Sequence, residues 1–94
     1  MKIAQIWVNI YPLLLLILTV AKNYYRNEQG IKAFGNKLRD IRKQKGVSQE
    51  ALSYATDLHL SQIGRIERGE VSTSISFVYL FAEVLQVHPK DFFD

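Results

Sequence analysis

Apolar positions divide the 94-residue chain into two stretches of different rhythm. Residues 3–21 carry no charge and include an unbroken aliphatic run from Leu13 to Leu18, whereas residues 22–30 turn polar. From Ile31 onward apolar residues return at helical intervals. Ile31, Phe34, Leu38 and Ile41 step by three, four and three, which aligns them on one side of a helix that Gly46 stops. Ser48 is a good N-cap for a short second helix over 49–56, and residues 57–59 connect it to a third over 60–68, closed by Gly69. Ser72, Thr73 and Ser74 offer caps for a fourth helix over 75–85. Val87, His88 and Pro89 end that helix before a last turn carrying Phe92 and Phe93. No window alternates with period two over a strand's length, so the pattern predicts an all-α domain over 31–94 and a separate apolar segment, itself helical, within 1–30.

The pair of short helices has the parts of a helix-turn-helix. Such a unit needs a small residue at the crossing, a backbone-tolerant residue in the turn and apolar side chains inside the angle. Ser53 takes the first place and Asp57 the second. Leu52, Thr56, Leu58, Ile63 and Ile66 take the inward positions. That leaves Leu60, Ser61, Gly64, Arg65 and Arg68 on the outer face of the third helix, short-chained at its start and cationic further on. Such a face suits close entry into a DNA groove followed by guanidinium contacts to base edges or phosphates.

Charge sharpens this picture. Residues 32–45 hold six basic side chains against Asp40 alone, while residues 46–94 hold three basic against seven acidic ones, so a cationic helix lies beside an acidic body. Such polarity fits a protein that turns one face to a polyanion. Cysteine is absent, and His59 and His88 stand far apart without flanking ligands, which argues against a disulfide framework, a metal site or a thiol nucleophile. Asp57, His59 and Ser61 are too crowded within one turn to line up as a hydrolytic trio, so no enzyme and no cofactor are expected.

Three strings carry a resemblance. They are Leu38, Arg39, Asp40, Ile41 and Arg42; then Val47, Ser48, Gln49, Glu50, Ala51 and Leu52; then Ile63, Gly64, Arg65, Ile66, Glu67, Arg68 and Gly69. Together they resemble the lambda-repressor-like regulators of bacteria and phages, the xenobiotic-response-element type, over about two thirds of the chain. The resemblance implies a five-helix domain and a sequence-specific transcriptional regulator, here expected to be a repressor that binds double-stranded DNA. It also implies that Gln49 touches phosphate, that Leu60, Ser61, Gln62 and Arg65 approach bases or flanking phosphates, and that Arg42 and Glu67 pair structurally between the first and third helices of the domain. Arg68, Lys37, Arg39 and Lys43 are expected to add phosphate contacts. The chain departs from the family pattern at Ser53, where alanine is usual, at Asp57, where glycine is usual, and in residues 70–74, where basic residues and an Asn-Pro are often found. Serine is nearly as small as alanine, and aspartate tolerates left-handed geometry. The altered loop removes expected phosphate contacts and shifts the load to the basic first helix.

The fourth helix is more apolar than one small core demands. Ile75, Val78, Ala82 and Leu85 are expected to face inward, while Phe77, Leu80 and Val84 form a second stripe adjoining Phe81. A homodimer interface on that stripe would set two reading helices on half-sites about 10 bp apart in a palindromic operator; the other reading folds the N-terminal segment over it. That segment, 19 uncharged residues in 3–21, would span about 28 Å as a helix, just short of a bilayer's hydrocarbon core. Trp7, Tyr11, Tyr24 and Tyr25 stand where interface anchors would, and Lys22, Arg26 and Lys32 would hold the DNA-binding part in the cytoplasm. Gln5, Asn9 and Pro12 oppose spanning. Membrane association, packing in a dimer and an extension outside the working protein therefore remain open for 1–30. The alternative function is protein interaction, as an antitoxin binding a toxin or as a membrane-tethered adaptor.

Overall fold

The structure, a computed structural model, describes residues 3–22 and 25–94, with five α-helices and a 3₁₀ turn in order. These are α1 (Ile3–Lys22), α2 (Glu28–Gln44), α3 (Gln49–Thr56), α4 (Leu60–Glu67), α5 (Ile75–Leu85) and the turn Pro89–Phe92. No strand occurs among the described residues. The domain's first helix begins earlier than its apolar period: Asn27 caps it, its side chain accepting from the Gly30 amide at 2.9 Å, so residues 28–30 belong to the helix and not to a linker. Polar residues of a first turn bury nothing, and apolar spacing therefore misses them.

Ser48 and Ser74 cap α3 and α5 through their hydroxyls, accepting from Ala51 and Phe77 amides. His88 caps the closing turn, its Nδ1 accepting from the Lys90 amide while its own amide donates to Asp91. Phe34, Leu38, Ile41, Leu52, Ile63, Ile66, Val78, Phe81, Ala82, Leu85 and Phe92 form one buried core drawn from every element after α1. Phe34 is its aromatic hub, with ring centroids 5.3 Å from Phe92 and 6.4 Å from Phe81. One expected inward residue is not there: Ile75 is 67% exposed, because it occupies the first turn of α5, beyond the edge of the core.

Within α1, residues 8–17 are exposed on all sides. Among the described residues no helix is long and apolar enough to cross a membrane, so the spanning option gains no support. Tyr24 lies outside the described residues, as does the Trp7 side chain, and with them the anchoring expected there.

Candidate nucleic-acid interface

Helices α3 and α4 meet across Leu52, Thr56, Ile63 and Ile66, all buried. Two hydroxyls tie up backbone carbonyls at this crossing. Thr56 donates to the Leu52 carbonyl at 2.7 Å, and Ser53 donates to the Leu58 carbonyl at 2.5 Å, which pulls the turn against α3. Asp57 takes the left-handed conformation expected of it, with φ of 59°.

Helix α4 is fixed from behind by α2. At Gly35 an added Cβ would lie 2.2 Å from the Ile66 carbonyl oxygen, so the two backbones touch there and only glycine fits. Two turns along α2, Arg42 reaches Glu67. Its Nε and Nη2 donate to the two carboxylate oxygens at 2.6 and 3.0 Å, and its Nη1 donates to the Val47 carbonyl at 2.9 Å. The Glu67 side chain is 1% exposed. Its hydrogen bonds hold the Arg42 guanidinium above the usual arginine range despite the opposing effect of burial. The buried pair thus ties α2 to the last residue of α4 by two hydrogen bonds.

With Ile63, Ile66 and Glu67 turned inward, α4 presents Leu60, Ser61, Arg65 and Arg68 to solvent, with Gln62 half-buried beside them. Leu60 is 42% exposed, an aliphatic side chain left at the start of a helix whose other apolar residues are buried. Gly64 departs from the expected outer face: it is buried, because the Arg68 guanidinium lies over it, and an added Cβ would sit 2.9 Å from Nη1. Arg68 in turn forms an ion pair with Glu70, which raises the arginine's pKa and lowers that of Glu70.

The other expected contacts are placed unevenly. Gln49, half-buried at the start of α3, donates its amide to Glu67 at 2.9 Å, so it joins the Arg42–Glu67 network beside the reading face. Arg39 follows Gly35 by one turn along the α4-facing side of α2 and donates to Asn36, and Lys43 follows by another turn, exposed. Lys37 is not brought to them. Two residues before Arg39 is about 200° around a helix, and Lys37 lines a groove with Ile41, Gln44, Val87, Asp91 and Asp94. Sequence reading missed Lys32 and Arg26. Gly69, at φ of 72°, lets α2 pass so closely that a Cβ there would meet Lys32, and Arg26 donates to the Glu70 carbonyl at 3.2 Å. Both cations thus stand at the C-terminal end of α4, 37 and 44 residues away in sequence from Gly69 and Glu70, beyond any local pattern. Among the described residues no cluster of His, Asp or Glu could hold a metal ion.

Residues 38–92 match the helix-turn-helix family. The chain belongs to that family. It is 42% identical over 62 residues to the control protein C.BamHI of Bacillus amyloliquefaciens, an alignment covering 65% of this chain and 76% of the relative. Its fold is similar to that of the restriction-modification controller protein C.AhdI from Aeromonas hydrophila, with a TM-score of 0.64 and 34% identity, over 66% of this chain and 94% of the other. A helix-turn-helix transcriptional regulator from Vibrio cholerae aligns with a TM-score of 0.67 and 30% identity, covering 70% of this chain but 37% of that one. The chain is accordingly an all-α, DNA-binding transcriptional regulator of the Cro and lambda-repressor type, and not an enzyme. The toxin-binding and adaptor alternatives gain nothing from these similarities.

Proposed function

We propose that the protein binds a palindromic operator as a homodimer, inserts α4 into the major groove, and controls transcription of a restriction-modification system. What carries the reading is the outer face of α4, where Leu60, Ser61 and Arg65 are solvent-exposed while the opposite face is locked by Ile63, Ile66 and the buried Glu67. Leu60 and Ser61 suit contact with base edges and methyl groups, and Gln62 and Arg65 have the hydrogen-bonding reach to select among them. Gln49, Arg39 and Lys43 flank this face as phosphate contacts, joined by Arg68 once it leaves Glu70. Lys37, on the far side of α2, has no part in it.

The dimer contact is assigned to the α5 stripe. Phe77, Leu80 and Val84 are each half-buried, so the stripe leaves apolar surface uncovered in one chain. Two copies joined there would present two α4 helices to half-sites about 10 bp apart. A restriction-modification role rests on the likeness to C.BamHI and C.AhdI, and repression is the regulatory sign first to be tested.

Selection of bound sequences from random DNA, followed by titration of the selected operator, tests the reading. Arg65→Ala and Gln62→Ala should each weaken binding and relax preference at one base position, by about 1–3 kcal/mol for a specific contact. Unchanged affinity and unchanged preference in both would refute the proposed reading face.

A further inference from the structure

We propose that Lys32 is a further contact to the DNA backbone, the N-terminal end of a basic stripe on α2 that lies along the phosphates of one strand beside the groove α4 enters. Helix geometry sets the stripe. At about 100° per residue, Lys32, Asn36, Arg39 and Lys43 fall within about 60° of one another around α2, stepping by four, three and four. Lys32, Asn36 and Lys43 are exposed, and Arg39 is half-buried, its Nη2 donating to the Asn36 side chain at 2.9 Å. Asp40, the one acid in this stretch, stands about 80° around from Lys32.

Two observations point this stripe at a polyanion. Arg26, Arg42 and Arg68 each hold a glutamate, whereas among the described residues Lys32, Arg39 and Lys43 have no ion-pair partner. Cations in a row without a carboxylate repel one another, and a row of phosphates relieves that repulsion. Packing supplies the second. A Cβ at Gly69 would lie 2.6 Å from Lys32 Cγ and 2.9 Å from its Cα, so the Lys32 stem rests on the residue that follows the Arg68 cap of α4. Gly35 and Arg42, which meet Ile66 and Glu67, stand only about 60° and 80° around α2 from Lys32. The stripe therefore borders the seam between α2 and α4. From Lys32 to Lys43 it is about 16 Å long, against about 3.4 Å of DNA axis per phosphate of one strand.

This inference rests on α4 entering the major groove, and its test separates the two. Lys37 supplies the control, with the same charge on the same helix but about 140° around from Lys32. In anisotropy titrations of the selected operator between about 50 and 200 mM salt, Lys32→Gln should lower the slope of log affinity against log salt by about 0.9 per copy of the chain. Binding should weaken about threefold at the lower salt, evenly across base substitutions in the operator. Lys37→Gln should leave the slope unchanged. Equal slopes in the two variants would overturn the proposal. So would a lower melting temperature with an unaltered slope, which would make Lys32 only a counter-charge to the C-terminal end of α4.

Ethylation interference gives a second readout. Phosphates whose ethylation weakens binding by the wild type but not by Lys32→Gln mark the contact, and identical patterns would refute it. If Arg65→Ala relaxes base preference while Lys32→Gln changes nothing, the reading face stands and the stripe falls. If Lys32→Gln lowers the slope while Arg65→Ala and Gln62→Ala leave preference and affinity unchanged, the stripe stands and the reading face falls.

Discussion

Glu70 holds Arg68 by an ion pair just beyond the C-terminal end of α4, so that under the proposed mode of binding a carboxylate stands where a DNA phosphate would. Both side chains are more than half exposed, and the carboxyl is held below its usual range by the arginine's hydrogen bond. If Arg68 contacts DNA as proposed, the Glu70 carboxylate competes with DNA for it.

Glu70→Gln should therefore tighten operator binding about threefold, the scale of an exposed ion pair, and steepen the fall of log affinity with log salt as Arg68 gains a phosphate. Because Glu70 titrates below the ordinary carboxylate range, the pair persists above that range and is lost only as pH falls through the lowered value. Wild type and variant should hence differ by the same factor between about pH 6 and pH 8, as fluorescence anisotropy would register. Weaker binding by the variant would contradict the competition.

The buried Arg42–Glu67 pair predicts a different signature. Glu67→Ala should cost about 3–5 kcal/mol by stranding a buried guanidinium, and Arg42→Met should strand the carboxylate at similar cost. Arg42→Met combined with Glu67→Leu should recover most of that loss, because neither charge is then buried alone. Urea unfolding of the three variants measures it, and additive losses in the double variant would count against the coupling.

Two glycines on either side of Arg42's contact should respond oppositely to alanine. Gly35→Ala drives a methyl into the Ile66 backbone, where nothing can yield, so α2 and α4 must separate at a cost of about 1–3 kcal/mol or more. Gly64→Ala meets only the tip of Arg68, a flexible neighbour. Its melting temperature should hold while its operator affinity changes as the guanidinium is displaced. Thermal melts and DNA titration of both variants separate the two effects.

Asp57 and Gln86 are non-glycine residues in left-handed backbone, at φ of 59° and 58°. That conformation costs a side chain roughly 1–2 kcal/mol, less for aspartate. Gln86→Gly should raise stability by about 1 kcal/mol and the melting temperature by about 4–8 °C for a domain of this size. Asp57→Gly should give a smaller gain. No gain at Gln86 would indicate that its side chain makes compensating contacts.

Much of this architecture was legible because its causes are local. Three- and four-residue steps from Phe34 to Ile41, the Ser48 cap, the turn at Asp57 and the stripe of Phe77, Leu80 and Val84 each depend on neighbours within one or two turns, and each appears where expected. Ile75 failed because periodicity does not say where a core ends. Gly64 failed because what covers it is the long side chain of Arg68, whose course depends on Glu70.

The helix-turn-helix itself, its inward residues and the basic character of α2 were determined by the sequence alone, since spacing and residue type within one segment suffice for them. Tertiary structure alone decided which charges act together. It turned Lys37 away from the reading helix, drew Gln49 onto Glu67, and brought Arg26 and Lys32 to the end of α4. Helix spacing fixes a side chain's direction only relative to its own axis, and it is the packing of Gly35 and Gly69 that sets one axis against another.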